Sequence, residues 1–383
     1  MILNVNKKKI WLSSPHMGGN EIKYIQQAFD TNWIAPVGDN IDNFEKELES
    51  YLGSGYVTAL NSGTAAIHLG LILLGVQAGD EVICQSMTFA ASANPILYLG
   101  ATPVFIDSET KTWNICPVVL EEAIIDRIAK GKKPKAIIIV HLYGVPCQIE
   151  LVRLVADKYE IPILEDSAEA LGSRYQEKAC GTFGDIAVFS FNGSKVITTS
   201  GGGAIVTHTK ELKEKALFLA TQAKDKAPYY QHSEVGYNYR MSNICAGIGR
   251  GQMEVLEKHI NLRRKMNAFY VDLFKDIPYV TVFETNDETS FANCWLTAII
   301  IDPNNNKGIT SEVLRLALES ENIESRPLWK PMHLQPVFKN YPYYGGNVSE
   351  SLFKNGLCMP SGSNLTDEDR ERIAATVNII LKF

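Results

Sequence analysis

Paired cysteines are missing from this chain of 383 residues: its 7 cysteines, at positions 84, 116, 147, 180, 245, 294 and 358, are scattered, odd in number and nowhere in C-x-x-C spacing. Neither a disulfide framework nor a zinc site follows, and no metal is expected. Long apolar runs are also missing. The apolar run 136–140 is far too short to span a bilayer, and the lysines near the start have no apolar stretch behind them. The expectation is a cytoplasmic chain without membrane insertion. There is no long basic run, and the net charge is −6, which speaks against nucleic acid as a partner; a small anionic ligand would need a local positive pocket instead. No G-x-G-x-x-G or G-x-x-x-x-G-K-[ST] follows a strand, so dinucleotide and P-loop readings lack their phosphate loop. Internal repeats and low-complexity tracts are absent as well.

What is present is a chain with 45% hydrophobic residues, long enough for two domains that each bury a core. Short β-rich runs at 57–60, 81–84, 103–106, 136–140, 162–165, 186–190 and 203–207 alternate with helical patterns at 64–75, 121–130 and 150–159. Such alternation predicts an α/β fold, a mostly parallel seven-stranded sheet between helices. The spacing then predicts a long helix over 247–263, strands at 280–283 and 295–301, a turn at 302–308, and helices at 310–320 and 367–382. The expected division is a large α/β domain over 15–260 and a small α+β domain over 261–383 joined by residues 1–14.

Several runs carry chemistry. Asn61-Ser-Gly-Thr-Ala-Ala66 follows a strand and opens a helix, so its free backbone N–H groups and helix dipole suit an anion; a plain capped helix would have the same look. Phe89 follows the next strand, at the sheet edge where open α/β folds bind ligands, and could lie flat on a planar ring. Asp166 ends the apolar run 161–165, and Lys195 stands in Ser190-Phe-Asn-Gly-Ser-Lys195. Alone, each reads as a strand-end cap and a surface lysine. Together they supply what pyridoxal phosphate needs most from a protein: an amine to trap the carbonyl and a carboxylate to keep the pyridine nitrogen protonated. A lysine is ordinarily protonated at neutral pH, so that role requires desolvation or an imine linkage.

Asn61-Ser-Gly-Thr-Ala-Ala66, Thr88-Phe89, His141-Leu-Tyr-Gly144, Glu165-Asp-Ser-Ala-Glu169, Phe191-Asn-Gly-Ser-Lys195, Ser200-Gly-Gly-Gly203 and Gly236-Tyr-Asn-Tyr-Arg-Met-Ser-Asn243, in this order, resemble the DegT/StrS family of sugar aminotransferases nearly end to end. The resemblance implies the pyridoxal phosphate-dependent transferase fold of type I and a homodimer with shared active sites. It implies a nucleotide-linked keto sugar as amino acceptor and L-glutamate, leaving as 2-oxoglutarate, as donor. Carried over by motif, Lys195 would bind the cofactor's carbonyl and shuttle the proton, Asp166 would pair with the ring nitrogen and Phe89 would stack on the ring. Gly63 and Thr64 would offer amides to the phosphate, Ser190 its hydroxyl, and Asn238 would reach in from the other subunit. Glu169, where relatives commonly carry Gln or His, would lie near the phenolic oxygen.

Within the family, Pro15-His-Met-Gly-Gly-Asn-Glu21, Trp33-Ile-Ala-Pro36 and Arg326-Pro-Leu-Trp-Lys-Pro-Met-His333 look like the subgroup acting at C4 of UDP-linked 4-keto-6-deoxy-N-acetylhexosamines. Trp33, Arg240, Arg326, Trp329 and His333 would then line the sugar-nucleotide pocket, although loop packing explains the Pro-rich stretch equally well. C3 transfer and GDP- or dTDP-linked sugars stay open. A sugar dehydratase on the same scaffold would carry histidine in place of Lys195. A non-catalytic pyridoxal phosphate-binding regulator is the remaining alternative, and no helix-turn-helix extension or basic patch supports it.

Overall fold

The computed structural model describes residues 7–284 and 288–381, so position 382 of the expected last helix and positions 1–6 of the expected small domain lie outside the described residues. Its main sheet runs in the order Tyr56–Leu60, Gly203–Thr207, Ile186–Ser190, Ile163–Asp166, Ala136–Val140, Glu81–Gln85, Thr102–Ile106 and Tyr343–Tyr344. Seven of these are the strands expected from sequence. The eighth, two residues long, comes from the later chain and adds parallel to Thr102–Ile106. Gly203–Thr207 is antiparallel to both its neighbours, and the other pairings are parallel.

Alternation along the strands fills both faces. In Ala136–Val140, Ala136 and Ile138 join Leu69, Ile96, Leu164 and Leu219 on one side, while Ile137 and Ile139 pack with Leu120, Ile124 and Val152 on the other. Helix Gly63–Leu73 is buried over most of its surface and apolar nearly all round, as an interior helix must be. Its start is fixed by Ser62, whose hydroxyl accepts the Ala65 N–H at 3.1 Å.

The expected helix over 247–263 is two helices, Asn243–Met253 and Leu256–Phe274, with the break at Glu254 and Val255. The second leads to a four-stranded antiparallel sheet ordered Val280–Val282, Thr297–Ile301, Gly356–Met359 and Arg326–Pro327. Residues 295 and 296, expected in the strand, precede it. Leu314, Leu318, Ile373 and Val377 from helices Ser311–Ser320 and Asp367–Leu381 close its core.

Arg263 binds these parts together. It is fully buried, and its guanidinium donates to Trp295 O at 2.8 Å, Ser361 O at 3.2 Å, Ser13 Oγ at 3.0 Å and Lys195 O at 3.2 Å. Burial alone lowers its pKa to about 10. Replacing it by Ala strands several acceptors in the interior, so Arg263→Ala should lower unfolding free energy by about 3–5 kcal/mol, read from urea denaturation. A loss under 1 kcal/mol would show that water takes over those bonds.

Candidate active site

The carboxyl ends of the strands and the helix Gly63–Leu73 open onto a cavity of about 470 Å³. Gly63, Thr64, Phe89, Asp166, Glu169, Ser190, Lys195, Arg326 and Trp329 all line it. At one end the first turn of the helix presents the Gly63 and Thr64 amides, which have no intrahelical acceptor. This cup exists because Gly203 backs it closely: a Cβ at 203 would lie 2.5 Å from Gly63 N and 2.4 Å from Ser62 C.

Deeper in, Asp166 is buried at the end of its strand, its Oδ1 accepting the Ala168 N–H at 3.1 Å and its Oδ2 accepting Ser92 Oγ–H at 2.7 Å. Because that proton goes to Asp166, the Thr88 hydroxyl donates to Ser92 Oγ, 2.7 Å away. Burial raises the Asp166 pKa, and Ser92, the Ala168 amide and the Lys195 charge only partly offset it. A buried carboxylate in that condition calls for a further cation.

Lys195 Nζ is 3.4 Å from Glu169 Oε1 and 4.1 Å from the centre of the Trp295 ring. Its loop is pinned from behind, with the Ser194 carbonyl accepting from Trp295 Nε1 at 2.7 Å and Ser13 Oγ at 2.6 Å. Phe89 forms the outer wall with Trp329, ring centres 5.6 Å apart. Arg326 stands at the mouth, held by Glu324 at 2.8 Å.

Other expected residues lie elsewhere. Arg240 does not line the cavity, because its guanidinium is ion-paired with Glu45 and donates to Ala59 O at 3.1 Å. His333 is turned away, its ring bonded to Ser86 Oγ at 2.6 Å and Glu350 at 3.2 Å and stacked on Tyr343 at 3.7 Å. Trp33 is exposed, and its backbone is engaged at both ends, the carbonyl by Asn243 Nδ2 at 2.6 Å and the N–H by Ala28 O at 2.9 Å. Asn238 is exposed beside Asn61, whose Nδ2 donates to the Asn238 carbonyl at 3.1 Å, and it does not line the cavity of its own chain.

Ser92 and Trp295 are site residues that sequence reasoning missed. Ser92 sits four residues after Thr88, a helical spacing that was readable; Trp295 was hidden in an apolar run that reads as core strand. Behind the cavity, Glu165 accepts from His141 Nε2 at 2.8 Å, Ser167 Oγ at 3.1 Å, Phe183 N at 2.7 Å, Gly184 N at 2.8 Å and the Gly181 amide. His141 Nδ1 accepts the Cys147 N–H at 3.1 Å, so Nε2 carries the proton. His141, Glu165 and Cys180 come within 4.8 Å of one another, but the histidine and carboxylate lone pairs are spent on these bonds, and burial keeps the Cys180 thiol protonated.

The profile of the DegT/DnrJ/EryC1/StrS aminotransferase family matches residues 15–378. The chain is 47% identical over 370 residues to EpsN of Bacillus subtilis, a protein named as a putative pyridoxal phosphate-dependent aminotransferase, covering 96% of this chain and 94% of that one. It is 35% identical to a GDP-perosamine synthase of Caulobacter vibrioides, over 97% of this chain and 98% of the other. Among solved structures it is similar to Helicobacter pylori PseC, an aminotransferase involved in the biosynthesis of pseudoaminic acid. That likeness has a TM-score of 0.89 and 26% identity, covering 98% of this chain and 100% of PseC.

Burial opposes the charge on Glu165, but His141 and the surrounding amides outweigh it and hold the carboxyl below its ordinary pKa. The stability this supplies is present above the ordinary carboxylate range and lost as pH falls through the lowered folded value. Glu165→Gln should therefore cost about 3–5 kcal/mol at pH 7. In denaturation curves run at successive pH values, the gap to wild type should narrow only in acid.

Proposed function

The chain belongs to the DegT/DnrJ/EryC1/StrS aminotransferase family and is a pyridoxal phosphate-dependent sugar aminotransferase, and from this we propose that it moves the amino group of L-glutamate to C4 of a UDP-linked 4-keto-6-deoxy-N-acetylhexosamine. The observation that carries the aminotransferase chemistry is one cavity holding Lys195, Asp166 and the open amides of Gly63 and Thr64. These residues fit the cofactor: the amides and the Ser190 hydroxyl would hold its phosphate, Phe89 would cover its ring, and Asp166 would meet its ring nitrogen. The poorly compensated burial of Asp166 is what a protonated ring nitrogen would relieve. Bound there, pyridoxal phosphate supplies a carbonyl for amine capture and an electron sink for the charge left on carbon when a proton departs.

The protein's own part is positioning and proton transfer. Lys195 Nζ, inside the cavity, is placed to take the proton from the glutamate Cα and, in the second half of the cycle, to return one to the sugar C4. Glutamate leaves as 2-oxoglutarate, and the keto sugar leaves as the amino sugar, in a ping-pong sequence. Phe89 and Trp329 limit water at the reacting carbon. Arg326, at the mouth, suits the anionic nucleotide part of the substrate.

A homodimer is part of this proposal. Trp11, Met17, Ile22, Phe29, Trp33 and Val37, exposed apolar side chains on one stretch of chain, would be covered by the second copy. Asn238, exposed beside the cavity lip, would serve a second copy's cofactor. A GDP-linked sugar is the second reading, favoured by the relatives named GDP-perosamine synthase.

Lys195→Ala should reduce multiple-turnover amino transfer at least about 10³-fold, and Asp166→Ala should weaken cofactor retention and remove most activity. A panel of UDP-, GDP- and dTDP-linked keto sugars, with glutamate and NMR of the product, tests the acceptor. Turnover with the UDP sugar to a 4-amino product is expected; a strong preference for another nucleotide, or a C3 amine, would replace that assignment.

A further inference from the structure

Glu169 and Trp295 approach Lys195 from two distant parts of the chain. Glu169 Oε1 lies 3.4 Å from Nζ, and the Trp295 ring faces the same nitrogen at 4.1 Å, so a carboxylate and an aromatic face enclose one amine. Both are buried. The other carboxylate oxygen of Glu169 is fixed, accepting the Tyr143 N–H at 2.7 Å, which leaves Oε1 toward the lysine. Tyr143 holds that amide in place with a left-handed backbone, φ 56°.

One side chain orders the whole arrangement. Asn293, fully buried, donates through Nδ2 to Glu169 O at 2.8 Å and Leu171 O at 2.9 Å, and accepts the Trp295 N–H on Oδ1 at 2.8 Å. It therefore ties the backbone of the carboxylate to the backbone of the ring. Gly144 leaves room for it, since a Cβ there would come within 1.9 Å of Asn293 Oδ1. An ion pair that only stabilised the fold would not require both lysine neighbours to be set by one buried amide inside the reaction cavity.

We propose that Glu169 and Trp295 form a cradle for the Lys195 ammonium whenever its nitrogen is not joined to the cofactor, and that Glu169 Oε1 takes the proton Nζ must lose to become a nucleophile. This rests on Lys195 being the residue that captures the cofactor. The step balances: one proton leaves Nζ and binds Oε1, leaving a neutral amine beside a neutral carboxylic acid. An ammonium has no unshared pair with which to attack a carbonyl, and Oε1, 3.4 Å away on the cavity wall, is at hand to receive its proton.

The charge around Glu169 suits the role. Burial pushes its pKa up to about 7, Lys195 and the Tyr143 amide oppose this, and the Asp166 charge adds to it. The other titratable groups close by, the Tyr143 hydroxyl and the Cys358 thiol, are both kept protonated by burial. Glu169 is thus the group on this wall whose charge changes near neutrality.

The test uses the full chain stripped of cofactor, mixed with pyridoxal phosphate at pH 5.5 to 9, quenched with borohydride and mapped by mass spectrometry for label on Lys195. For a base titrating at about 7, wild-type capture should rise about tenfold between pH 6 and pH 8 and then level. Glu169→Gln, which can still accept the Tyr143 N–H, should lose that break and be at least tenfold slower at pH 7. Glu169→Asp, restoring a carboxylate, should bring the break back. Trp295→Leu should keep the break and slow capture several-fold throughout. A Glu169→Gln profile superimposable on wild type, or a wild-type profile without a break near neutrality, would overturn the proton transfer; an unchanged Trp295→Leu rate would remove Trp295 from the cradle. Absence of label on Lys195 at every pH would instead remove the functional reading, and the cradle with it.

Discussion

Everything in this molecule is arranged around the end of one strand, Ile163–Asp166, where two successive carboxylates are buried on opposite faces of the sheet. Side chains alternate along a strand, so a sequence of two acids forces one to each side. Glu165 is satisfied by five donors and holds the 181–184 loop against the strand. Asp166 receives two donors and faces the cavity. An unpaired buried carboxylate is costly, so the first acid is stabilised by its surroundings while the second is left in want of positive charge. The two have opposite pKa shifts for that reason.

The later chain completes what the strand begins. Arg263 and Asn293 are buried polar side chains whose partners are mostly main-chain carbonyls and amides, and those partners belong to the segments around residues 13, 169, 195, 295 and 361. Such bonds are directional and expensive to leave unmade, so they set the position of the Lys195 loop more sharply than apolar packing does. These ties hold the inner side of the cavity, while Phe89 and Arg326 stand at the exposed rim.

Periodicity reveals the interior best. The seven long strands of the main sheet were readable because each is a short apolar run followed by a polar turn, and the residues that end them, Asp166 and Ser190 among them, inherit their place from that pattern. Helix Ala90–Tyr98 was obscured by Pro95 in its interior, and Tyr343–Tyr344 is too short to carry a period at all. The break between the two helices near Val255 has no Gly or Pro to announce it. Arg240 and His333 were expected in the pocket from their motifs, and a motif does not tell an arginine or histidine that finds a carboxylate within its own fold from one that waits for a ligand.

Charge along the cavity follows an order that the shape alone does not convey. At its inner end sit Asp166 and Glu169, two carboxylates whose pKa values burial raises, the Asp166 charge adding to the rise at Glu169, with the Lys195 ammonium 3.4 Å from Glu169. At the other end the Gly63 helix presents amide N–H groups and the positive end of its dipole. A ligand that fits must therefore carry its positive charge inward and its negative charge toward the helix. A protonated pyridine ring bearing a phosphate has that polarity, so this order of charge would favour the orientation proposed for the cofactor before any single hydrogen bond is made.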